Sequence, residues 1–171
     1  MITPRLQTLL DDQKIIYTHR THRRAYTARD LAEADHTPPW EVAKTVVFLG
    51  DGEYGIAVLA ASTRVDLERL RHVLGIKSIR LATEEELLRL FPDCEVGAMP
   101  PFGNLYGDIP VYLDSVLADQ EEIAFNAGTH RDDVHMKVRD FKHMVHPTIL
   151  QFAFPSRKEV VVQPTAFLMM F

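Results

Sequence analysis

Three short stretches of the sequence combine residue types that can do chemistry. Lys44 opens the run AKTVVFLG, with the hydroxyl of Thr45 next to it. A lysine at the head of an apolar strand is costly unless its ammonium meets an anion or an oxygen-rich ligand. Gly97, Ala98, Met99, Pro100 and Pro101 form a stiff loop with a permissive glycine at its head. Prolines fix φ and glycine lets the backbone come close, a pairing that can aim amide N–H groups at an oxyanion or a water. In Asn126, Ala127, Gly128, Thr129 and His130 an apolar run ends in a glycine turn bearing a hydroxyl and an imidazole. Such turns on a rigid scaffold commonly carry binding residues, and Gly128 permits main-chain N–H groups to face a ligand. Each stretch also has a plain structural reading: a solvated strand-end lysine, a proline turn and a hairpin turn.

Other chemistries lack their residues. The one GxGxxG spacing, GDGEYG at residues 50–55, lies in a hairpin turn between two strands and opens no helix, and the sequence holds no GxxxxGK[ST], no HExxH, no CxxC and no GxSxG, so phosphate-cradling loops, zinc-protease helices and a serine elbow are not expected. His19 and His22 have HxxH spacing without a third ligand close by in sequence, and they read as exposed basic residues with no metal. The single cysteine, Cys94, reads as a half-buried structural thiol in a reducing cytoplasm. No apolar run is long enough to span a bilayer and the N-terminal stretch lacks the order of a secretory signal, so no membrane association is expected. A net charge of −5 argues against a wholly basic nucleic-acid surface. Any RNA contact must be local, and the run HRTHRR, with Arg20, Arg23 and Arg24, is the segment that qualifies.

The elements that must position these residues follow from periodicity. With 171 residues, 46% of them apolar and 25% charged, one well-packed domain is expected. Helices are predicted over residues 4–14, over a segment capped by Thr27 with Leu31 and Ala32 on its apolar face, over 65–74 closed by Gly75, over 84–90 behind a capping box at Thr83, and over a last short segment capped by Asp140. Strands are predicted at 15–17, 42–49, 56–60, 76–81, 111–114, 122–126, 134–138 and 148–154, with an Asp-Gly hairpin turn between the second and third. The interleaving is too irregular for a doubly wound nucleotide-binding sheet. A single-domain α/β fold with a mixed, partly antiparallel, barrel-like sheet surrounded by helices is the better reading, over residues 1–154. Residues 155–171, ending AFLMMF, read as a tail packed on the core or on a second copy in a homodimer.

The order of the three chemical stretches is more specific than any one of them. YTARDLAEA, AKTVVF with Lys44, GAMPPFG with Gly97 and Pro101, VYLD with Asp114, IAFNAGTHRD with Gly128 and His130, and the closing VRDF together resemble the YbaK/EbsC and prolyl-tRNA-synthetase insertion-domain family of deacylases, over residues 6–144. The resemblance implies hydrolysis in trans of a mischarged aminoacyl-tRNA, with a synthetase as a possible partner and no cofactor. Lys44 would help hold substrate, amides of the loop from Gly97 to Pro101 would position ester and water, and His130 would shape the amino-acid pocket, with Thr45, Met99, Pro100, Asn126 and Thr129 around it. The competing reading is a non-catalytic module of the same fold that holds a nucleotide or an RNA end. HTPPW before Lys44 departs from the family pattern, in which a glycine-containing stretch is common.

Overall fold

The computed structural model describes residues 1–156. Ten strands and six α-helices are found among them, in the order α1 (Pro4–Asp12), β1 (Tyr17–Thr21), α2 (Ala28–Asp35), β2 (Ala43–Gly50), β3 (Glu53–Ala60), β4 (Thr63–Val65), α3 (Leu67–Leu74), β5 (Ile79–Leu81), α4 (Glu84–Leu90), β6 (Val111–Asp114), α5 (Ser115–Ala118), β7 (Glu122–Asn126), β8 (Asp132–Lys137), α6 (Val138–Val145), β9 (Thr148–Leu150) and β10 (Ala153–Pro155). Residues 157–171, which hold most of the expected tail, lie outside the described residues.

The main sheet is mixed, in the order β5-β2-β3-β6-β9. β2 and β3 form a long antiparallel hairpin, closed by Asp51 and Gly52 at φ 48° and 84°, the paired left-handed conformations of a type I′ turn. β6 joins β3, and β9 joins β6, in parallel. A second sheet, β1-β8-β7, is antiparallel, and a parallel bridge from Val42 to Ala124 ties it to the head of β2. The partly antiparallel sheet expected from the sequence is present, although these sheets stay open and do not close into a barrel. Between them sits the largest core cluster, with Leu6 and Leu10 of α1, Val47, Ile56, Phe125 and Phe141. Phe102 is fully buried there, its ring centroid 5.3 Å from that of Phe125 and 5.5 Å from that of Phe141, which pins the proline loop to the core. No helix among the described residues is long and apolar enough to cross a membrane.

Local chemistry explains most boundaries. Thr27 and Thr83 each accept from the third helical amide, and Asp30 and Glu86 return the bond, so α2 and α4 start on capping boxes. Asp66 caps α3, which stops at Gly75 in the left-handed conformation. Four expectations are corrected. The first strand is β1, displaced from 15–17; Ile16 is 88% exposed, and the pairing uses Tyr17 to Thr21 against β8. Val65 belongs to a short strand, β4, that precedes α3. Asp140 lies in the first turn of α6 while Lys137 holds the cap position. The stretch 148–154 divides into β9 and β10 in different sheets, because the buried Asp114 carboxylate takes the amides of Phe152 and Ala153, each at 3.0 Å, and turns the chain.

Candidate active site

The proline loop and the glycine turn are stitched together through their main chains. Gly128 N donates to Ala98 O (2.9 Å) and Glu95 N donates to Gly128 O (2.8 Å). Gly128 has φ +105°, and a β-carbon there would stand 2.2 Å from Thr3 Cγ2. Glycine is thus required both by the conformation and by the chain that enters α1. The amide of Gly128 is itself spent on Ala98. What Gly128 does is hold the loop.

Within the loop, Ala98 N is committed to Glu95 O (3.0 Å) and Phe102 N to Pro100 O (2.8 Å), and Pro100 and Pro101 carry no N–H. Gly97, at φ +88°, points its amide at the thioether of Met99 (3.2 Å), a weak acceptor. The Met99 amide makes no hydrogen bond among the described residues. Two donors of the loop therefore stand free of a strong acceptor. Met99 itself is buried in the main core cluster.

His130 is buried and braced on both ring nitrogens. Nδ1 lies 3.0 Å from Ala25 O and Nε2 2.8 Å from Val96 O, while its amide donates to Glu95 Oε2 (3.1 Å). The imidazole is a wall between the loop and residues 25–26, each ring nitrogen facing a main-chain carbonyl. Thr129 turns its hydroxyl inward, donating to Asp132 Oδ2 (2.5 Å) and accepting from Arg131 N (3.1 Å), which makes it a turn residue. Asn126 is buried, and its Oδ1 has no hydrogen-bond partner.

Lys44 stands at a second focus. It is half-buried on β2, its Nζ donates to Thr63 O, and burial, then the charges of Arg29 and Arg64, lower its pKa below the usual lysine value. It lines an open cleft of about 460 Å³ with Thr27, Ala28, Arg29, Ala61 and Ser156. Thr45, one residue on, faces the opposite side of the sheet, with Ala43 and Val47 of the main core cluster. Lys44 and Thr45 thus do not share a pocket. Lys44 connects to the loop through residues 25–28: Ala25 and Tyr26 touch His130, and Thr27 and Ala28 line the lysine cleft. Tyr26, 61% exposed, tilts over His130 with ring centroids 5.1 Å apart. Neither Tyr26 nor Glu95 was distinguished by the sequence, because an exposed aromatic and a loop carboxylate have no periodic signature.

The basic run expected to meet RNA is in part engaged within the fold. Arg20 lies in β1 and pairs with Asp35 (3.2 Å), Arg24 donates to the Tyr26 hydroxyl (3.3 Å), and Arg23 is exposed. Of the two histidines, His19 is exposed as expected and bonds to Asp132 (2.7 Å), whereas the side chain of His22 is only 4% exposed.

Residues 22–144 match the family described as the aminoacyl-tRNA editing domain, which spans the loop, the turn, Lys44 and Tyr26. The chain belongs to that family, and its enzyme class is aminoacyl-tRNA deacylase. Among its relatives is the multifunctional Ser/Thr-tRNA deacylase ProXp-y of Escherichia coli (strain K12), 29% identical over 153 residues, covering 86% of this chain and 90% of the relative. A proline–tRNA ligase of Staphylococcus aureus (strain Newman) is 30% identical over 112 residues, which is 64% of this chain and 18% of the ligase. A solved structure provisionally described as a trans-editing enzyme for prolyl tRNA synthetase shares the fold, with a TM-score of 0.77 and 22% identity over 90% of this chain and 99% of that one.

Proposed function

We propose that the chain hydrolyses, in trans, the ester of a small non-cognate amino acid to the terminal adenosine of a tRNA, with the uncommitted amides of Gly97 and Met99 as donors to the oxyanion. The observation that carries this reading is the loop itself: the amides of Ala98 and Phe102 are satisfied, Gly128 and His130 hold it in place, and the N–H groups of Gly97 and Met99 face no strong acceptor. Water adds to the ester carbonyl, the tetrahedral oxyanion accepts from the amides, and collapse expels the ribose oxygen as a hydroxyl with release of the amino acid. Such preorganised donors are worth on the order of 3 kcal/mol of barrier each. An aminoacyl ester is already activated, so neither a covalent nucleophile nor a metal enters this reading.

Lys44 serves as an electrostatic anchor rather than a base, holding the nucleotide part of the substrate while the ester reaches the loop. The exposed ring of Tyr26, between the two foci, gives the terminal base a surface on which to stack. Arg23 and Arg24 contribute the local phosphate contacts. A synthetase pocket rejects a smaller side chain by only about 1–3 kcal/mol, which is the reason a second, size-limited site is useful. The name of the E. coli relative puts serine and threonine esters first among candidates, with alanine and cysteine esters after them.

A panel of tRNAs charged with alanine, serine, threonine, cysteine and the cognate amino acid tests the proposal. Release of one or more small amino acids, with the cognate ester spared, is expected. Binding of tRNA without turnover of any ester would establish the competing reading of a non-catalytic RNA-end module.

A further inference from the structure

A second cluster of ligating side chains lies at the far end of α2 from Lys44. Asp35 ends α2, Asp133 and His135 stand at alternate positions of β8 and so on one face, and His22 follows β1. The side chains of Asp35, Asp133, His135 and His22 are 6%, 0%, 12% and 4% exposed. His135 Nε2 is 2.6 Å from both Asp35 Oδ2 and Asp133 Oδ2, and the ligand atoms of these three residues all lie within 4.8 Å of one another. Arg20 (3.2 Å) and the Thr37 hydroxyl (2.5 Å) also contact Asp35 Oδ2.

The other oxygen of Asp133 faces His22 Nε2 at 3.5 Å, and neither atom has a hydrogen-bond partner. His22 Nδ1 is 2.6 Å from Arg23 O, a carbonyl that can only accept, so the neutral ring carries its proton on Nδ1 and presents a lone pair at Nε2. Two buried lone-pair atoms that face each other cost free energy unless a proton or a metal cation stands between them. Zinc bonds of about 2.0–2.2 Å in tetrahedral geometry put neighbouring N and O ligands about 3.4 Å apart, close to the separation found here. Buried imidazoles and carboxylates, drawn from three segments, are the donor set that suits a first-row transition ion rather than calcium or magnesium.

We propose that Asp35, Asp133 and His135 bind a divalent transition ion, zinc being the best match, with His22, which faces the second Asp133 oxygen, moving in as the fourth ligand. The ion clamps β1, α2 and β8 together. His135 Nε2 and its two carboxylate oxygens spread by about 0.8 Å to reach the ligand spacing of a tetrahedral ion, and Arg20, 46% exposed at its side chain, swings away from Asp35. The site is separate from the ester chemistry, since the eight residues of α2 span about 12 Å between Asp35 and the lysine cleft. Sequence spacing could not show it, because His22, Asp35 and the Asp133–His135 pair come from three separated stretches, and His19, the histidine spaced with His22, turns instead to Asp132.

The test uses the full chain without a histidine tag, stripped with a chelator and titrated with zinc sulfate by calorimetry, then with cobalt(II) by visible absorption. One zinc per chain, an intense tetrahedral cobalt spectrum without a thiolate band, and a Tm that rises with zinc concentration are expected. His22→Gln and His135→Gln, checked for fold by circular dichroism, should each weaken zinc binding by at least about 10-fold, while Cys94→Ala leaves it unchanged. Zinc uptake well below one per chain, or the same affinity in both glutamine variants, overturns the proposal. If the variants fail to fold, the wild-type cobalt spectrum decides: weak octahedral bands or none overturn the proposal, and tetrahedral bands support it.

Discussion

A β-carbon on Gly97 would stand 3.4 Å from Cε1 of His130, so the residue that opens the proline loop rests directly against the imidazole of the glycine turn. Gly97 also has φ +88°, where an L side chain costs about 1–2 kcal/mol. Gly97→Ala should therefore lower stability by about that amount, and lower kcat on a mischarged tRNA by considerably more, on the order of 10²-fold, through a displaced amide. Denaturant unfolding beside single-turnover deacylation separates the two. Equal losses in both would make the loop a structural element only.

Lys44→Ala should leave the fold intact and reduce kcat/KM by on the order of 10²-fold, as the anchor is lost at the cleft beside Thr63 and Arg29. Burial lowers the pKa of this ammonium, so its charge is lost as pH rises through a value below the ordinary 10.4 or so. The enzyme-dependent rate, corrected for spontaneous ester hydrolysis, should fall on the alkaline side before that value. A rate in the folded Lys44→Ala protein near that of the wild type removes Lys44 from the site.

Arg20 is engaged with Asp35, and so the phosphate contacts are better tested at the other two arginines. Arg23→Ala with Arg24→Ala should raise KM and reduce the magnitude of the salt slope of log(1/KM) by roughly 1.4, at about 0.7 per phosphate on single-stranded RNA, with kcat little changed. A slope equal to that of the wild type would direct attention to Arg131, Lys137 and Lys142.

Cys94 is half-buried beside the Tyr106 hydroxyl (3.2 Å), and burial pushes its thiol up to about 12. At pH 8 a small disulfide reagent should label it at least about 10²-fold more slowly than it labels the unfolded chain, because the thiolate is the reactive form. Fast labelling of the native protein would show that the thiol is open to solvent.

Glu86 is buried, and its carboxylate accepts from Arg80 (2.7 Å), the Thr83 amide (3.0 Å) and the Tyr54 hydroxyl. The Arg80 guanidinium, followed by Tyr54 and the Thr83 amide, holds its pKa far below the usual carboxylate range. A depressed folded value means that the stabilisation is fully present above the unfolded pKa of about 4.3 and is lost as pH falls below it. Glu86→Gln should lower Tm at pH 7, and the gap to the wild type should close as the pH falls from about 4.3. A gap independent of pH would assign the loss to packing.

Local chemistry alone settled much of this protein. The capping boxes at Thr27 and Thr83, the left-handed stop at Gly75, the Asp-Gly hairpin turn and the apolar strands β2 and β3 are decided by residues a few positions apart, and all are legible in the sequence. The glycines and prolines of residues 97–101 likewise showed that a stiff loop stands there. Tertiary structure decided which amides that loop leaves free, because Ala98 O is taken by a glycine thirty positions away and the imidazole of His130 is held by Ala25 and Val96. It also decided that Lys44 and Thr45 face opposite sides of a sheet and that β1 pairs through polar residues. The same holds for His22, an apparent surface base that is buried against Asp133 because an antiparallel partner and a helix end converge on it. Periodicity reports which face of an element is apolar; which distant polar atoms meet across the fold depends on strand register and on the packing of side chains far apart in sequence.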